Sequence, residues 1–327
     1  MPMTTLLWMP DYYSREEERA IVQASVEGIP HHVPATARTH LPTGVAGGTY
    51  RISPPLIKPS RLTSKGKGGV GKDLSDGWCL NFAVGCSHGC DFCYVDEIFK
   101  RFGRKRYGDL VLKRWGDYML IPENLEQAIQ ETPWQKWKGQ EVMMSSTHDP
   151  YVPVLANWTR RILESALPAG VRFCIQTRSF LATRDFDLLT EYRNQVRLQV
   201  SIATMNADFA TSIERRVPPS EARLEILRRA KRAGLETGVI LAPIFPPMDA
   251  RPDADEDLKE LIEAIARIGP DHVYGESLHP RGQNLRLVEE DLGQTVPATD
   301  GFDRRIARAF HRHLANVGMK GTWWYEH

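Results

Sequence analysis

No apolar run in this 327-residue sequence reaches membrane-spanning length, no internal repeat or long low-complexity tract interrupts it, and 42 basic against 41 acidic residues leave a formal net charge of only +1. The first absence argues against a transmembrane helix. The near balance of charge removes any global field that would drive the chain onto nucleic acid or a membrane, so such binding must be local. The opening MPMTTLLWMPDYYSREEE lacks the charged start and apolar core of a secretory signal, so a cytoplasmic location with no membrane partner is the expectation. Cysteine is scarce: five residues, an odd number, three of them within an eight-residue stretch. That is poor usage for a disulfide framework, and clustered thiols in a reducing compartment point instead to metal. With 42% hydrophobic residues there is enough apolar material for one large α/β domain or two smaller ones.

A hydroxyl is missing where one would matter. The segment SKGKGGVGKD, Ser64 to Asp73, has the glycine and lysine spacing of a phosphate-cradling loop. Asp73, however, stands where such a loop needs a Ser or Thr to hold magnesium, and its carboxylate would repel the phosphates. No buried strand leads in and no helix follows. The segment reads as a flexible, basic, glycine-rich connector.

From Met1 to about Trp78 the chain is rich in Pro, Gly, His and charge, with one plausible helix around Ser14 to Glu27. This is read as a partly irregular N-terminal extension, residues 1–78. A regular alternation follows. Short β-branched runs mark strands at Asn81 to Cys86, Glu141 to Ser146, Val171 to Thr177, Val196 to Ile202, Thr237 to Ile244 and His272 to Leu278. Helical patterns with caps or breakers lie between them: PENLEQAIQE, VLANWTRRILESAL, RDFDLLTEYRN, PSEARLEILRRAKRAG and DADEDLKELIEAIARIG. Strand then helix, repeated, builds a parallel sheet covered by helices, whether open or closed, with functional residues at the carboxyl ends of its strands. A last helix, FDRRIARAFHRHLANVG, and the aromatic tail WWYEH finish the chain and are expected to pack on this core.

The first candidate strand runs into GCSHGCDFCYVD, where Cys86, Cys90 and Cys93 are spaced C-x3-C-x2-C. Three thiolates on one short loop suit the corner of a cubane iron-sulfur cluster, leaving one iron open. Gly85 and Gly89 let the loop bend, and Phe92 and Tyr94 would shield it from water. The alternative is a structural zinc with His88 or Cys79 as fourth ligand, although zinc motifs usually supply thiols in two separated pairs. Cys174 alternates within an apolar strand and reads as a small core residue.

This loop, with Tyr94 just beyond it, resembles the signature of the radical S-adenosylmethionine (radical SAM) enzymes. SSTHDPY, IQTRS, LQVSIAT, ERRVPPSEARLEILRRAKRAG and VILAPIFP further resemble the branch around spore photoproduct lyase, over roughly Cys79 to Asp249. The resemblance implies an α/β fold, a parallel partial (β/α)6 TIM-type barrel over residues 79–280, with residues 281–327 as a C-terminal helical tail. It implies a 4Fe-4S cluster on Cys86, Cys90 and Cys93 whose open iron chelates S-adenosylmethionine. It implies reductive cleavage of that cofactor to methionine and a 5′-deoxyadenosyl radical that abstracts hydrogen from a substrate, and an electron donor such as flavodoxin or ferredoxin. Arg178 would face the cofactor carboxylate and Ser201 its ribose or carboxylate. Ser145, Ser146 and Thr147 would receive its amino group, and Tyr94 would meet the adenine through its backbone. One feature of the lyase is missing: the stretch MMSSTHD holds no thiol where that enzyme keeps its hydrogen-donor cysteine, and a serine O–H bond is too strong to take over.

The strand ends opposite the cysteine loop nominate His148, Asp149, Tyr151, Glu276 and His279 as pocket residues, with Glu276 and His279 equally readable as a salt-bridged loop. Lys100, Arg101, Arg104, Lys105 and Arg106 follow the cysteine loop directly, with Lys113 and Arg114 beyond. A basic patch beside an active-site mouth suits the phosphates of a nucleotide or nucleic acid, and Lys65, Lys67 and Lys72 could extend it; a solvated surface or a reductase contact is the plainer use. The expected function is radical SAM modification or repair of a phosphate-bearing substrate. Tailoring of a peptide or small metabolite, and a non-catalytic zinc-binding nucleic-acid module, are the alternatives.

Overall fold

The structure is a computed structural model that describes residues 41–60, 73–280, 284–299 and 301–324. The helix expected at Ser14 to Glu27, and Lys65, Lys67 and Lys72, lie outside them. Ten strands are described: β1 Ala46–Tyr50, β2 Ile57–Pro59, β3 Trp78–Leu80, β4 Tyr118–Pro122, β5 Glu141–Met144, β6 Arg172–Thr177, β7 Val196–Ser201, β8 Glu236–Ile244, β9 His272–Ser277 and β10 Thr322–Trp323. Eight form one sheet in the order β10, β9, β8, β7, β6, β5, β3, β2, while β1 and β4 pair in parallel as a separate ribbon. Every pairing from β3 to β10 is parallel, and β2 alone runs antiparallel, against β3. The sheet ends at β2 and β10, giving an incomplete barrel.

The period of two along each strand sorts side chains onto two faces. Phe173, Ile175, Leu198, Val200, Val239, Leu241 and Val273 point outward into the main core beneath the helices. Cys79, Met143, Cys174, Ile240, Ala242 and Tyr274 point inward, where Trp324 joins them. Cys174 is fully buried as a small core residue should be, but on the barrel's inner face.

Ten helices are described: α1 Val95–Phe102, α2 Arg104–Tyr107, α3 Leu125–Glu131, α4 Pro153–Ala166, α5 Phe186–Glu191, α6 Ala207–Ile213, α7 Ser220–Arg232, α8 Ala254–Ala266, α9 Asn284–Leu292 and α10 Phe302–Asn316. Their starts follow local chemistry. Pro153 opens α4 where no N–H is needed. Asn206 caps α6 by accepting from the Phe209 N–H at 2.9 Å, and Asp253 caps α8 by accepting from Asp255 and Glu256. At the C-terminal end, Trp323 lies against Phe310 at 5.3 Å and donates to Asp303 at 3.2 Å. Gly275 makes room for it, since a Cβ there would meet the indole at 2.6 Å.

One strand differs from its sequence-based expectation. The first parallel strand is Trp78–Leu80 rather than Asn81 to Cys86. Phe82, Ala83 and Val84 are all buried, so the run is not alternating. Val84 instead pairs with Leu120 of β4, exchanging backbone bonds of 3.0 and 2.8 Å. The chain thus leaves the sheet before the cysteines and carries them out on a braced loop.

Candidate active site

Gly85 turns the chain into the cysteine loop at φ +88°, and a Cβ there would lie 2.3 Å from the Tyr118 carbonyl oxygen, so only glycine fits. The loop closes on itself through Gly89 N–H to Cys86 C=O at 3.2 Å and Cys93 N–H to Cys90 C=O at 3.1 Å. The segment after α6 clamps it from outside: Asp91 N–H donates to Ile213 C=O at 3.0 Å, Arg216 N–H to His88 C=O at 3.1 Å, and Cys90 bridges Glu214. Phe92 is buried edge-on against Phe245 at 5.8 Å, and Tyr94 is half-buried.

All three cysteines are free thiols, Cys86 and Cys90 buried and Cys93 half-buried. Burial pushes Cys86 up to about 12, with the Asp149 carboxylate adding to it, and pushes Cys93 up to about 12, with Cys90 adding. Cys90 is raised by burial too. Opposing this, backbone N–H groups of Asp149 and His88 reach Cys86, that of Val95 reaches Cys93, and the Arg178 guanidinium favours charge on Cys90 and Cys93. Dry thiols ringed by N–H donors and one guanidinium become stable anions when a soft cation replaces their protons. The donor set therefore fits an iron-sulfur cluster. Among the described residues, no three His, Cys, Asp or Glu side chains converge as a single-ion site. His88 Nδ1 lies 3.5 Å from Asp149, and Cys79 faces the barrel interior.

Asp149, read from sequence as a pocket residue, is the hub joining the ends of β5 and β6. It accepts from Tyr151 N–H at 2.8 Å, Thr177 Oγ1 at 2.8 Å and Arg178 N–H at 2.6 Å. Arg178 is thereby fixed at the mouth. Its Nε donates to Glu214 at 3.2 Å, its Nη2 to the Ala242 carbonyl at 3.2 Å, and its guanidinium lies over Phe92 at 5.7 Å. Glu214 is also gripped by Arg223, fully buried, at 2.5 and 3.1 Å, and Arg223 donates to the Ser201 carbonyl at 3.0 Å. Neither Glu214 nor Arg223 was given a role from sequence, although both fall in ERRVPPSEARLEILRRAKRAG, a stretch noted for its family resemblance; the one further signal was two opposite charges nine residues apart.

The other expected contacts divide. Ser201 ends β7 buried, with no bond from its hydroxyl to another group among the described residues. The Ser145 hydroxyl is spent on its own loop, donating to His148 C=O at 2.7 Å and accepting from the N–H groups of Thr147 and His148 at 3.3 and 3.2 Å. Ser146 is tied to Asn81 at 2.9 Å, and Thr147 to His148 Nδ1 at 3.2 Å. Tyr94 donates through its hydroxyl to the Ser146 carbonyl at 3.4 Å. Tyr151 does not face the mouth: it is fully buried in the main core near Asp185. Glu276 and His279 stand 3.9 Å apart.

His148 is buried edge-on to Phe82 at 4.8 Å, and burial lowers it from 6.5 to about 3, against a weaker opposing bond to the Ala83 backbone. The unfolded chain then binds more protons than the folded one between these values. The resulting stability is complete above pH 6.5 and is lost as pH falls toward 3, with a slope of up to about 1.4 kcal/mol per pH unit. Urea midpoints at about pH 5 and pH 7 should differ in this sense, and by less in a His148→Phe variant.

The basic segment is partly committed. Lys100 pairs with Asp96 at 2.7 Å, Arg104 with Asp109 at 2.8 Å, and Arg114 with Asp91 at 3.0 Å and with Asp291. Arg101, Lys105, Arg106 and Lys113 are exposed, Arg101 over the Phe102 ring and Arg106 over the Tyr107 ring.

A parallel α/β partial barrel that carries three thiols on the loop after its first parallel strand defines a class of cofactor-dependent enzyme with its chemistry at the barrel mouth. A family model described as the radical SAM superfamily matches residues 80–265, more than half of the chain, and this protein belongs to that superfamily as a radical SAM enzyme. Similar proteins include the uncharacterized protein ORF301 of Acidianus two-tailed virus, 56% identical over 86% of this chain and 94% of that one. An uncharacterized protein of Mycobacterium bovis is 27% identical over 63% of this chain and 59% of its own length. Among solved structures, a cysteine-to-serine mutant of spore photoproduct lyase superimposes with a TM-score of 0.60 at 14% identity, over 95% of this chain and 94% of that one. The same lyase complexed with dinucleoside spore photoproduct gives 0.56 at 16% identity, over 81% and 80%. At these identities the likeness is one of fold. Among the described residues, no helix is long and apolar enough to cross a membrane.

Proposed function

We propose that Cys86, Cys90 and Cys93 hold a 4Fe-4S cluster, that S-adenosylmethionine binds between this loop and the ends of β5 to β7, and that the substrate is a nucleotide or a base in nucleic acid. The observation that carries the cofactor reading is the clamp of Asp149, Glu214 and Ala242 on Arg178, which fixes a guanidinium beside the thiols. When bound, the cluster and cofactor supply reductive cleavage to methionine and a 5′-deoxyadenosyl radical able to take hydrogen from carbon. The chain's own residues bind and orient. Arg178 offers a fixed cation to a carboxylate, the Ser201 hydroxyl a further polar contact, and the Tyr94 backbone a place for the adenine. Ser146 and Thr147 remain candidates for the amino group. The Ser145 hydroxyl, held by its own loop, contributes by shaping that loop.

The substrate class is supported by the exposed Arg101, Lys105 and Arg106 on α1 and α2, the two helices that follow the cysteine loop, together with Lys100 and Arg104 in their carboxylate pairs. A fold shared with a lyase complexed with a dinucleoside points the same way. The same basic face suits an acidic one-electron donor such as flavodoxin or ferredoxin, and the free thiols suit a reducing cytoplasm. The test is anaerobic reconstitution with iron and sulfide, reduction with S-adenosylmethionine, and mass-spectrometric counting of 5′-deoxyadenosine with and without DNA, RNA or nucleotides. Product whose yield rises with one of these is expected. A rise only with peptides or small metabolites would overturn the substrate class, and no product from a fully loaded cluster would overturn the cofactor reading.

A further inference from the structure

Gln176 on β6 and Gln199 on β7 are register partners, each two residues before a position read as a cofactor contact, Arg178 and Ser201. The strand period therefore puts both amides on the inner face of the barrel, one step deeper than those two residues. Gln199 is completely buried, and among the described residues neither its Oε1 nor its Nε2 meets a partner. Gln176 is half-buried, with its Nε2 buried and unpartnered in the same way. A third buried donor without a partner among the described residues, the indole Nε1 of Trp324, belongs to the same inner lining, its ring 5.6 Å from that of Tyr274.

The surroundings show why these groups are not simply packing. Gly238, the register partner of Gln199 on β8, has no side chain, and a Cβ there would stand 2.9 Å from Gln199 Cγ, so the amide lies across a position kept bare for it. Arg197, two residues earlier on β7, closes the barrel below: it donates to Glu141 at 2.9 Å, the Asp73 carbonyl at 2.6 Å and the Tyr274 hydroxyl at 3.3 Å. The remaining wall is soft and apolar, from Met143, Cys174 and Ile240. Unpaired buried amides are costly and rare in folded proteins, whereas Leu or Met would fill the same volume without that cost.

We propose that Gln199, assisted by Gln176 and Trp324 Nε1, is a specificity-determining group that reads the polar edge of the substrate beneath the cofactor. A carboxamide offers one donor and one acceptor side by side, and the other two groups add donors. The matching ligand is flat, with a lactam-type N–H flanked by carbonyl oxygen, as on a nucleobase; the apolar wall accepts its faces. The inference rests on the cofactor reading of Arg178 and Ser201.

The test uses the cluster-loaded protein with S-adenosylmethionine and the free nucleosides uridine, guanosine, cytidine and adenosine as probes, with binding followed by calorimetry. Uridine or guanosine, which carry a lactam edge, should bind in preference to cytidine and adenosine. Gln199→Met should weaken that binding about tenfold or more, with S-adenosylmethionine affinity retained and Tm unchanged or raised. Gln176→Met should give a smaller loss. Unchanged nucleoside binding in Gln199→Met, or a lowered Tm that marks the amide as structural, would overturn the inference. So would failure of the wild-type protein to bind any of the four while it still forms 5′-deoxyadenosine, an outcome that leaves the cofactor reading intact. A wild-type protein that neither binds them nor forms 5′-deoxyadenosine would overturn both.

Discussion

Replacing any one of Cys86, Cys90 and Cys93 by alanine should drop both bound iron and 5′-deoxyadenosine to background, while the protein stays folded. The argument for loss begins with burial. The thiols of Cys86 and Cys93 stand at about 12 in their dry loop, so they ionise only when metal displaces the proton. A loop that has given up one ligand must still desolvate the other two, with less binding to offset it. The argument for a retained fold is that the loop is held by backbone contacts with Ile213, Glu214 and Arg216 rather than by its sulfurs. Iron and sulfide analysis, the visible absorption of the reconstituted protein and a melting curve read the outcome. Full iron content in a Cys93→Ala variant would remove this loop from the ligand set.

The alternation of strands and helices was legible because each strand from β5 to β9 buries one face beneath helices and the other in the barrel, so both faces read as apolar. Asn81 to Cys86 misled for a related reason. Phe82, Ala83 and Val84 are apolar because they are buried at the mouth, with Val84 bridged to β4, a partner that local periodicity does not show. The cysteine loop was legible because its ligands are close in sequence. Its clamp was not: Glu214 meets Arg178 across 36 residues, and Asp149 meets Thr177 across 28. Such pairs are set by which strand ends lie side by side, which local sequence does not record. The inward amides Gln176 and Gln199 were hidden similarly, since a polar residue in an apolar strand looks like a solvent-facing position until the neighbouring strands are placed.

Glu214→Gln should cost about 3–5 kcal/mol of stability, because it leaves the fully buried Arg223 as an uncompensated charge. Arg223 would keep the Ser201 carbonyl at 3.0 Å, a neutral acceptor in place of a bidentate carboxylate. Arg223→Met should cost less, because the buried Glu214 carboxylate keeps the Arg178 guanidinium at 3.2 Å as a charged partner. The double variant Glu214→Gln/Arg223→Met should recover much of the loss, a coupling that a double-mutant cycle in urea measures directly. Function should not recover with it. Glu214 also holds Arg178 through its Nε at 3.2 Å, and a glutamine there presents no charge to that guanidinium. The double variant should therefore be nearly as stable as the wild type yet bind S-adenosylmethionine more weakly, with Arg178 held by Ala242 and Phe92 but missing its charged brace. Recovery of cofactor affinity together with stability would show that Glu214 serves the fold alone and that Arg178 needs no partner to meet its ligand.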